Sequence, residues 1–261
     1  MILNHRYKFI FIRTGKTAGT SVECFLTQFC GDKDVISPLY EDEEQVKKEL
    51  NLRNAQNYEK IYNSLSLKFI GNFVKDFFNK KTTSFRKKHI FYDHSSISEI
   101  NKYFPKNIVK NYLKFCIVRN PYSFLISQFY WHNLKKNKIY RGEESVQEIK
   151  RNFDDYVKNC SKNFYYQKKI ICNEKNEYSI NKYLSYENLE SDLTNLMKEL
   201  KINEKYKYVL KDFKFKKNDN GFKTKKLLDK KNIEIIFREA SYFFEKFKYS
   251  KSPPSELLWE E

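Results

Sequence analysis

The chain has 261 residues, of which 40% are hydrophobic and 17% aromatic, so it can bury a core of its own and is not a disordered chain. Its net charge of +17 indicates an anionic partner or a phosphate-rich cofactor, but the lysines are spread along the whole chain and no nucleic-acid-binding signature accompanies them. Five scattered cysteines without a C-x-x-C pair, no signal peptide and no apolar run of about 18 residues favour a cytoplasmic protein with free thiols and no transmembrane segment.

The chain opens with a strand, a glycine-containing loop and a helix. Residues Tyr7–Ile12 are rich in aromatic and β-branched side chains, which predicts a short buried strand. Apolar residues at helical spacing from Val22 to Phe29 predict a helix that begins near Thr20 and ends at Gly31.

A charged stretch over Glu41–Lys88 follows, and we expect it to be helical in parts. A short strand is predicted over Ile90–Tyr92. Ser96 and Glu99 then have the spacing of a capping box, which predicts a helix that continues to about Tyr103.

The second half of the chain contains the clearest strand, Tyr112–Val118, and Pro121 suits the first turn of the helix after it. Further helices are predicted over Val146–Lys158, Tyr186–Lys201 and Asn232–Phe247. Strands that alternate with helices indicate an α/β fold with a mainly parallel central sheet and helices on both faces.

The loop after the first strand has the features of an anion-binding site. A helix N-terminus presents unpaired N–H groups and the positive end of its dipole. Gly15 and Gly19 would let the backbone curl around a phosphate, Lys16 would add a charge, and Thr20 and Ser21 would add hydroxyl donors. This is not a Walker A motif, because Ile10 stands where that motif requires glycine. A glycine loop that merely turns a corner remains the alternative.

A second candidate site follows the strand that ends at Val118. Arg119 lies at the edge where open parallel sheets bind ligands, and Ser127 lies about two turns into the next helix. Because side chains on a helix point back toward its N-terminus, both residues could reach one phosphate. The alternative is an ordinary surface ion pair for Arg119 and a small packing residue at 127.

A third candidate is His94, at the junction between a strand and a helix. Its imidazole could accept a proton from a hydroxyl near neutral pH. Its neighbour Asp93 would point the other way in an extended chain and is not expected to orient the ring. A lone histidine is more often structural than catalytic, so the spacing leaves both roles open.

Together these segments resemble the carbohydrate sulfotransferase family, particularly its bacterial and heparan 2-O-type branches. The family patterns occur in the same order along the chain: P-K-T-A-G-T-S at 15–21, H-x-S-x-x-E-I at 94–100, V-R-N-P-Y…S at 118–127, Y-E-N-L at 186–189 and F-x-x-F-G-Y at 244–249. Two positions differ from these patterns: Gly15 stands where the family has proline, and Lys248 stands where it has glycine. The late Lys-Asn pair that family members use near the nucleotide has its counterpart in Lys217-Asn218.

The resemblance implies a P-loop-like three-layer α/β/α fold and transfer of a sulfuryl group from 3′-phosphoadenosine-5′-phosphosulfate (PAPS) to a carbohydrate hydroxyl, without a metal. It implies that the 5′-phosphosulfate is held by Gly15, Lys16, Thr17, Ala18, Gly19, Thr20 and Ser21. It also implies that Arg119 and Ser127 hold the 3′-phosphate, and that Lys16 and His94 are catalytic, His94 as the general base.

We expect a single sulfotransferase domain over 1–261, with 40–88 as an insertion on the acceptor side and 252–261 as a surface tail. An anionic acceptor would account for part of the excess lysine, although an AT-rich coding bias would have the same effect.

Three alternatives remain open. A P-loop nucleotide kinase would need a Walker A motif and a magnesium-binding carboxylate, and neither is evident. A sulfotransferase of small alcohols or of protein tyrosine would share the cofactor sites and differ in the acceptor cleft. A non-catalytic nucleotide- or polyanion-binding module of the same fold would bind the cofactor without turnover.

Overall fold

The computed structural model describes residues 1–60, 88–135, 145–202, 207–213 and 224–260. Its strands are β1 (Ile2–Asn4), β2 (Phe9–Ile12), β3 (Val35–Ile36), β4 (Glu59–Lys60), β5 (Lys88–His89), β6 (Leu113–Val118) and β7 (Lys182–Ser185). Five of them form one sheet in the order β3-β1-β2-β6-β7, and β4 pairs separately with β5. The predicted α/β class is therefore confirmed.

The five-stranded sheet is mixed. Strands β2, β6 and β7 run parallel, with Ile12 opposite Cys116 and Val118 opposite Ser185. Strand β1 runs antiparallel to both β2 and β3. Its direction relative to β2 follows from the connection between them, because residues 5–8 alone join the two strands and so short a connection suits only antiparallel neighbours. The prediction of a mainly parallel sheet is thus correct for β2, β6 and β7 and wrong for β1.

Ten α-helices occur in the described residues. They are α1 (Gly19–Thr27), α2 (Glu41–Glu49), α3 (Ile97–Tyr103), α4 (Lys106–Asn111), α5 (Pro121–Lys135), α6 (Val146–Val157), α7 (Ser161–Ile171), α8 (Leu189–Glu199), α9 (Lys230–Glu239) and α10 (Ser241–Phe247). Short 3₁₀ turns are found at Leu210–Asp212 and Ser255–Leu257.

Several predicted elements are confirmed. Strands β2 and β6 lie within the predicted ranges, α5 begins at Pro121 itself, and α6 and α8 correspond to predicted helices. Helix α3 begins with the expected capping box, in which Ser96 N donates to Glu99 Oε2 (2.7 Å) and Glu99 N donates to Ser96 Oγ (3.3 Å). At these places the local sequence pattern is sufficient to predict the element.

Three predicted elements differ from the structure. Helix α1 ends at Thr27 rather than Gly31, because the next amides bond to carbonyls three residues back and tighten the chain out of the α-helix. Residues Ile90–Tyr92 form no strand, since β5 ends at His89. The helix predicted over Asn232–Phe247 is two helices, because the buried Ala240 leaves helical geometry with φ −111° and ψ 14°.

Neighbouring residues of the central strands face opposite sides of the sheet. Phe11 packs in the same apolar cluster as Val22 of α1 and Leu193 of α8. Ile10 faces the other cluster, which contains Phe129 of α5. Helices therefore cover both faces, which leaves the ends of the strands as the open part of the sheet.

Two expectations concern thiols and membrane spans. All five cysteines are free and buried, so the prediction of free thiols is confirmed. Across the described ranges, no helix combines the length and apolar character needed to cross a bilayer. Near the end of the chain, Leu257 is buried and its carbonyl accepts from Leu227 N (3.0 Å), so part of the segment from 252 onward packs on the core.

The first turn of α1 lies directly on the side chain of Arg13. A Cβ added at Gly19 would stand 2.6 Å from Arg13 Cγ, far closer than atoms pack. Arg13 has little room to move, because it is only 6% exposed and its Nη2 donates to Thr20 Oγ1 (2.7 Å). The helix can begin here because Gly19 has no side chain.

We expect Gly19→Ala to lower the free energy of unfolding by about 1–3 kcal/mol, since it forces an extra methyl group into a filled space. The direction of the change is informative, because helix propensity alone would make Gly19→Ala more stable by about 1 kcal/mol. Gly31→Ala is the matched control: a Cβ there meets nothing within 4 Å, so no loss is expected. Urea unfolding of both variants measures the difference, and equal stabilities would contradict the packing argument.

Candidate functional site

A cleft of about 1190 Å³, counted to its open mouth, lies where β2 and β6 end. Every residue predicted for the site lines it: Gly15, Lys16, Thr17, Ala18, Gly19, Thr20, Ser21, His94, Arg119 and Ser127. The parallel register of β2 and β6 explains this convergence, because their carboxyl ends meet at one edge of the sheet.

The loop between β2 and α1 turns through left-handed residues that are not glycines. Lys16 and Ala18 both have φ of 58°, in the region that non-glycine residues rarely adopt. Gly15 and Gly19 serve instead for close approach, Gly19 to Arg13 and Gly15 to Gln167. The prediction that these glycines curl the backbone is therefore wrong in its mechanism.

Three hydrogen bonds fix consecutive residues of this loop. Arg13 O accepts from His94 Nδ1 (3.0 Å), Thr14 Oγ1 donates to Ile117 O of β6, and Gly15 N donates to Gln167 Oε1 (2.9 Å). The partners come from three separate segments, so the loop conformation depends on the whole edge of the sheet.

The N-terminus of α1 opens into the cleft. The first intrahelical bond runs from Val22 N to Ala18 O (3.1 Å), so the amides before it have no helical carbonyl to bond. The Thr20 hydroxyl, which we predicted as a phosphate donor, is engaged inside the protein: it accepts from Arg13 and donates to Glu43 Oε1 (3.3 Å). The backbone of this turn remains as its anion-binding group.

Arg119 joins the loop after β6 to the loop after β2. Its Nη1 donates to Lys16 O (2.9 Å), its Nε donates to Ser123 Oγ (3.0 Å), and its guanidinium lies 4.0 Å from the centre of the Tyr186 ring. Burial lowers the pKa of Arg119, opposed by nearby Tyr186 and Glu187, yet a guanidinium stays protonated. The cation is thus oriented before any ligand arrives.

Glu187 of the Y-E-N-L segment holds the loop that carries Arg119. Glu187 Oε1 accepts from Asn120 N (2.8 Å), and Glu187 Oε2 accepts from Ser185 Oγ (2.7 Å). Tyr249 donates to the same carboxylate at 3.4 Å. The residue after Arg119 is therefore tied to the end of β7.

Helix α5 also lines the cleft. Ser127 is buried and lines the cleft, and Trp131 follows it by one helical turn. Lys16 Nζ lies 4.6 Å from the centre of the Trp131 ring, in cation–π range. The helical spacing from Ser127 was a signal that could have predicted Trp131.

His94 is oriented by the backbone. A carbonyl can only accept, so the bond between Nδ1 and Arg13 O places the proton on Nδ1 and leaves Nε2 as the acceptor of the neutral ring. Burial lowers the pKa of His94, a nearby Asp93 opposes this, and Arg13 adds to it. The neutral imidazole is the form that can accept a proton.

Asp93 lies beside His94, contrary to our expectation. Its Oδ2 is 3.5 Å from His94 Nε2, and its Oδ1 accepts from His94 N (3.0 Å). The chain is not extended here, because Tyr92 and Ser95 close a turn through Tyr92 N to Ser95 Oγ (2.8 Å) and Ser95 N to Tyr92 O (3.2 Å). The alternation rule for extended chains therefore does not apply.

Helix α7 was missed by the sequence analysis, and with it two cleft residues. Tyr166 makes an edge contact with His94 at 6.4 Å between ring centres, and Gln167 holds Gly15. Gln167 and Gly15 are 152 positions apart, so no local pattern could have linked them. Lys217-Asn218 and most of the predicted acceptor-side insertion lie outside the described residues.

We expect the imidazole of His94 to titrate with a midpoint below the usual value of about 6.5, because burial disfavours its charged form. Asp93→Asn should lower the midpoint further, because it removes a carboxylate that attracts the imidazolium. NMR titration of the His94 ring protons measures both shifts. The exposed Asp155, on α6, provides the control variant Asp155→Asn, and an upward shift in Asp93→Asn would contradict the assignment.

Comparison with known proteins adds one positive finding. Residues 1–252 match the sequence model described as the Sulfotransferase family. No curated protein and no solved structure matches the chain significantly. Because the match spans nearly the whole chain and includes every loop that lines the cleft, the chain belongs to the sulfotransferase family.

Proposed function

We propose that this protein transfers a sulfuryl group from PAPS to a hydroxyl of a carbohydrate acceptor, and that its helices and sheet form the P-loop-like three-layer arrangement suited to that nucleotide. The observation that carries the proposal is the convergence of three distant segments on one cleft, which brings Lys16, Arg119 and the imidazole of His94 together. Family membership supports sulfuryl transfer in general.

The charges of the cleft fit a donor with two anionic groups. Arg13, Lys16 and Arg119 line it, whereas Asp93 is the one acidic side chain among its described lining residues. Arg13 is partly balanced by the buried Glu23, at 3.8 Å, so Lys16 and Arg119 supply most of the attraction. PAPS carries its activated sulfuryl group on the 5′-phosphate and a separate phosphate at the 3′ position.

We assign the 5′ side to the loop 15–21. The unpaired amides at the start of α1 and the ammonium of Lys16 would stabilise negative charge that develops on the departing phosphate oxygen. The three bonds that fix residues 13–15 keep these donors in place before the reaction, so little reorganisation is needed.

We assign the 3′-phosphate to Arg119 and Ser127. Arg119 uses one Nη group and Nε within the protein, which leaves its guanidinium fixed in direction while the cation still lines the cleft. These residues would bind and orient the nucleotide, a contribution to position rather than to chemistry.

We assign proton removal to His94. Its Nε2 is the unprotonated nitrogen and can take the proton of an acceptor hydroxyl as the oxygen attacks. The carboxylate of Asp93, 3.5 Å from Nε2, would then stabilise the imidazolium. No step requires a metal, and the residues that directly follow β2 and β6 are Arg13 and Arg119 rather than the acid that a kinase uses.

Arg119→Ala should weaken binding of 3′-phosphoadenosine-5′-phosphate (PAP), the spent donor, by about tenfold or more, because charge-assisted hydrogen bonds contribute roughly 1.5–3 kcal/mol. AMP lacks the 3′-phosphate, so its binding should barely change. Calorimetry with both nucleotides measures the contrast, and Arg151→Ala, at an exposed position on α6, is the control. Equal losses of affinity for PAP and AMP would contradict the assignment of Arg119 to the 3′-phosphate.

His94→Ala should lower turnover by about 10²–10⁴-fold and weaken PAP binding far less, because the imidazole acts on the acceptor and reaches the nucleotide loop only through its bond to Arg13 O. The assay follows transfer from ³⁵S-labelled PAPS to a panel of sugars, with γ-labelled ATP as the alternative donor, with and without EDTA. Near-normal sulfation in His94→Ala would make the histidine structural. EDTA-sensitive phosphate transfer from ATP, with none from PAPS, would overturn the proposed function.

A further inference from the structure

We propose that the acceptor is a neutral compound with hydroxyls on two adjacent carbons, and that Asp93 binds the second hydroxyl while His94 takes the proton of the first. This inference rests on the proposed function, because it specifies the acceptor of the same cleft. It makes Asp93 a specificity-determining residue.

Two hydrogen-bond acceptors lie side by side at the reacting position. His94 Nε2 carries no proton, because the bond to Arg13 O keeps the proton on Nδ1. Asp93 Oδ2 lies 3.5 Å from it, and an ionised carboxylate can only accept. Neither atom can therefore satisfy the other, although the two are close together.

Both side chains are held in this arrangement and both reach the cleft. Asp93 Oδ1 accepts from His94 N (3.0 Å), which fixes the carboxylate and leaves Oδ2 beside the imidazole. The side chain of His94 is 26% exposed and that of Asp93 is 30% exposed, and both line the cleft. Both side chains are therefore accessible to a ligand in the cleft.

Such a pair is complementary to two O–H donors at a similar spacing, which adjacent hydroxyls of a sugar ring provide. An acceptor with a single hydroxyl would leave one of the two protein atoms without a donor. Sites built to bond a substrate hydroxyl discriminate strongly against analogues that lack it, because the polar group of the protein is then left unpaired.

The charge of Asp93 restricts the acceptor further. A uronate or sulfate next to the reacting hydroxyl would bring a second negative charge toward Oδ2, and like charges at such distances repel. A neutral diol brings no such cost. Of the cations that line the cleft, Arg119 bonds to Lys16 O and Arg13 bonds to Thr20, and Lys16 is assigned to the 5′ side of the donor.

The surroundings of the pair suit a ring. Tyr166 is 49% exposed, lines the cleft and contacts the His94 imidazole edge-on at 6.4 Å between ring centres. Tyr40, 46% exposed, lines the same cleft. Aromatic rings of this kind offer apolar surface to the C–H face of a sugar.

The transfer step itself is unchanged. The reacting oxygen gains the sulfuryl group that the 5′-phosphate of the donor loses, and its proton passes to His94 Nε2. The second hydroxyl keeps its proton and shares it with Asp93. Nothing is oxidised or reduced.

The test compares matched acceptors by transfer from ³⁵S-labelled PAPS. The probes are trans-cyclohexane-1,2-diol against cyclohexanol, and methyl α-D-glucopyranoside against methyl α-D-glucopyranosiduronate. We expect kcat/KM to favour the diol over the single alcohol by roughly tenfold to a hundredfold, as for one charge-assisted hydrogen bond. The neutral glycoside should be preferred to the uronate.

Asp93→Ala should bring the ratio of diol to alcohol close to one, and Asp93→Asn, which keeps an oxygen for His94 N, should lower it in part. The ratio isolates specificity, because a change in the basicity of His94 affects both acceptors alike. Asp155→Ala, at an exposed site on α6, should leave the ratio unchanged.

Equal rates for diol and alcohol, preference for the uronate, or an unchanged ratio in Asp93→Ala would each overturn the inference. Lack of transfer to every neutral diol, by protein that binds PAP in calorimetry, would do the same. Failure to bind PAP at all would instead overturn the proposed function, so the two results can be told apart.

Discussion

The parallel pairing of β2 with β6 determines where the rest of the cleft lies. Ile12 stands opposite Cys116, so Arg13 and Arg119 leave the sheet at the same edge and their loops can touch. The bond from Arg119 to Lys16 O is possible only with this register. A shift of one residue would also turn Phe9 and Phe11 toward the wrong core, so the two apolar clusters hold the register and the register holds the site.

The two arginines of this cleft are fixed by contacts inside the protein rather than left mobile. Arg13 is nearly buried between Thr20 and Glu23, and Arg119 is stacked on Tyr186. Burial of a cation is costly unless partners offset it, and oxygen partners fix the direction of both guanidinium groups, although Nη1 of Arg13 makes no hydrogen bond and has Glu23 at 3.8 Å. The large excess of lysine over the whole chain is a different matter, since Lys16 is the one lysine among the described residues that line the cleft.

The sequence predicted the parts of the site that depend on neighbours in the chain. The strand before Arg119, the loop before α1 and the capping box after His94 each have a local pattern, and the structure has all three. It failed where tertiary contacts decide. The turn at Tyr92–Ser95 brings Asp93 beside His94, and α7 delivers Gln167 to Gly15 from a remote part of the chain. The antiparallel turn from β1 to β2, which makes the sheet mixed, is also too short to show a periodic pattern of apolar residues in the sequence.

The contact between Gly15 and Gln167 has a consequence for how this sequence can drift. A side chain at 15 would place its Cβ 2.6 Å from Gln167 Nε2, so the terminal amide of the glutamine would have to shift, which disturbs its bond to the loop. A smaller residue at 167 would remove the obstacle but also the acceptor for Gly15 N. A substitution at either position therefore changes the constraint at the other: a larger residue at 15 is accommodated by a shift of the glutamine, and a smaller residue at 167 releases the loop.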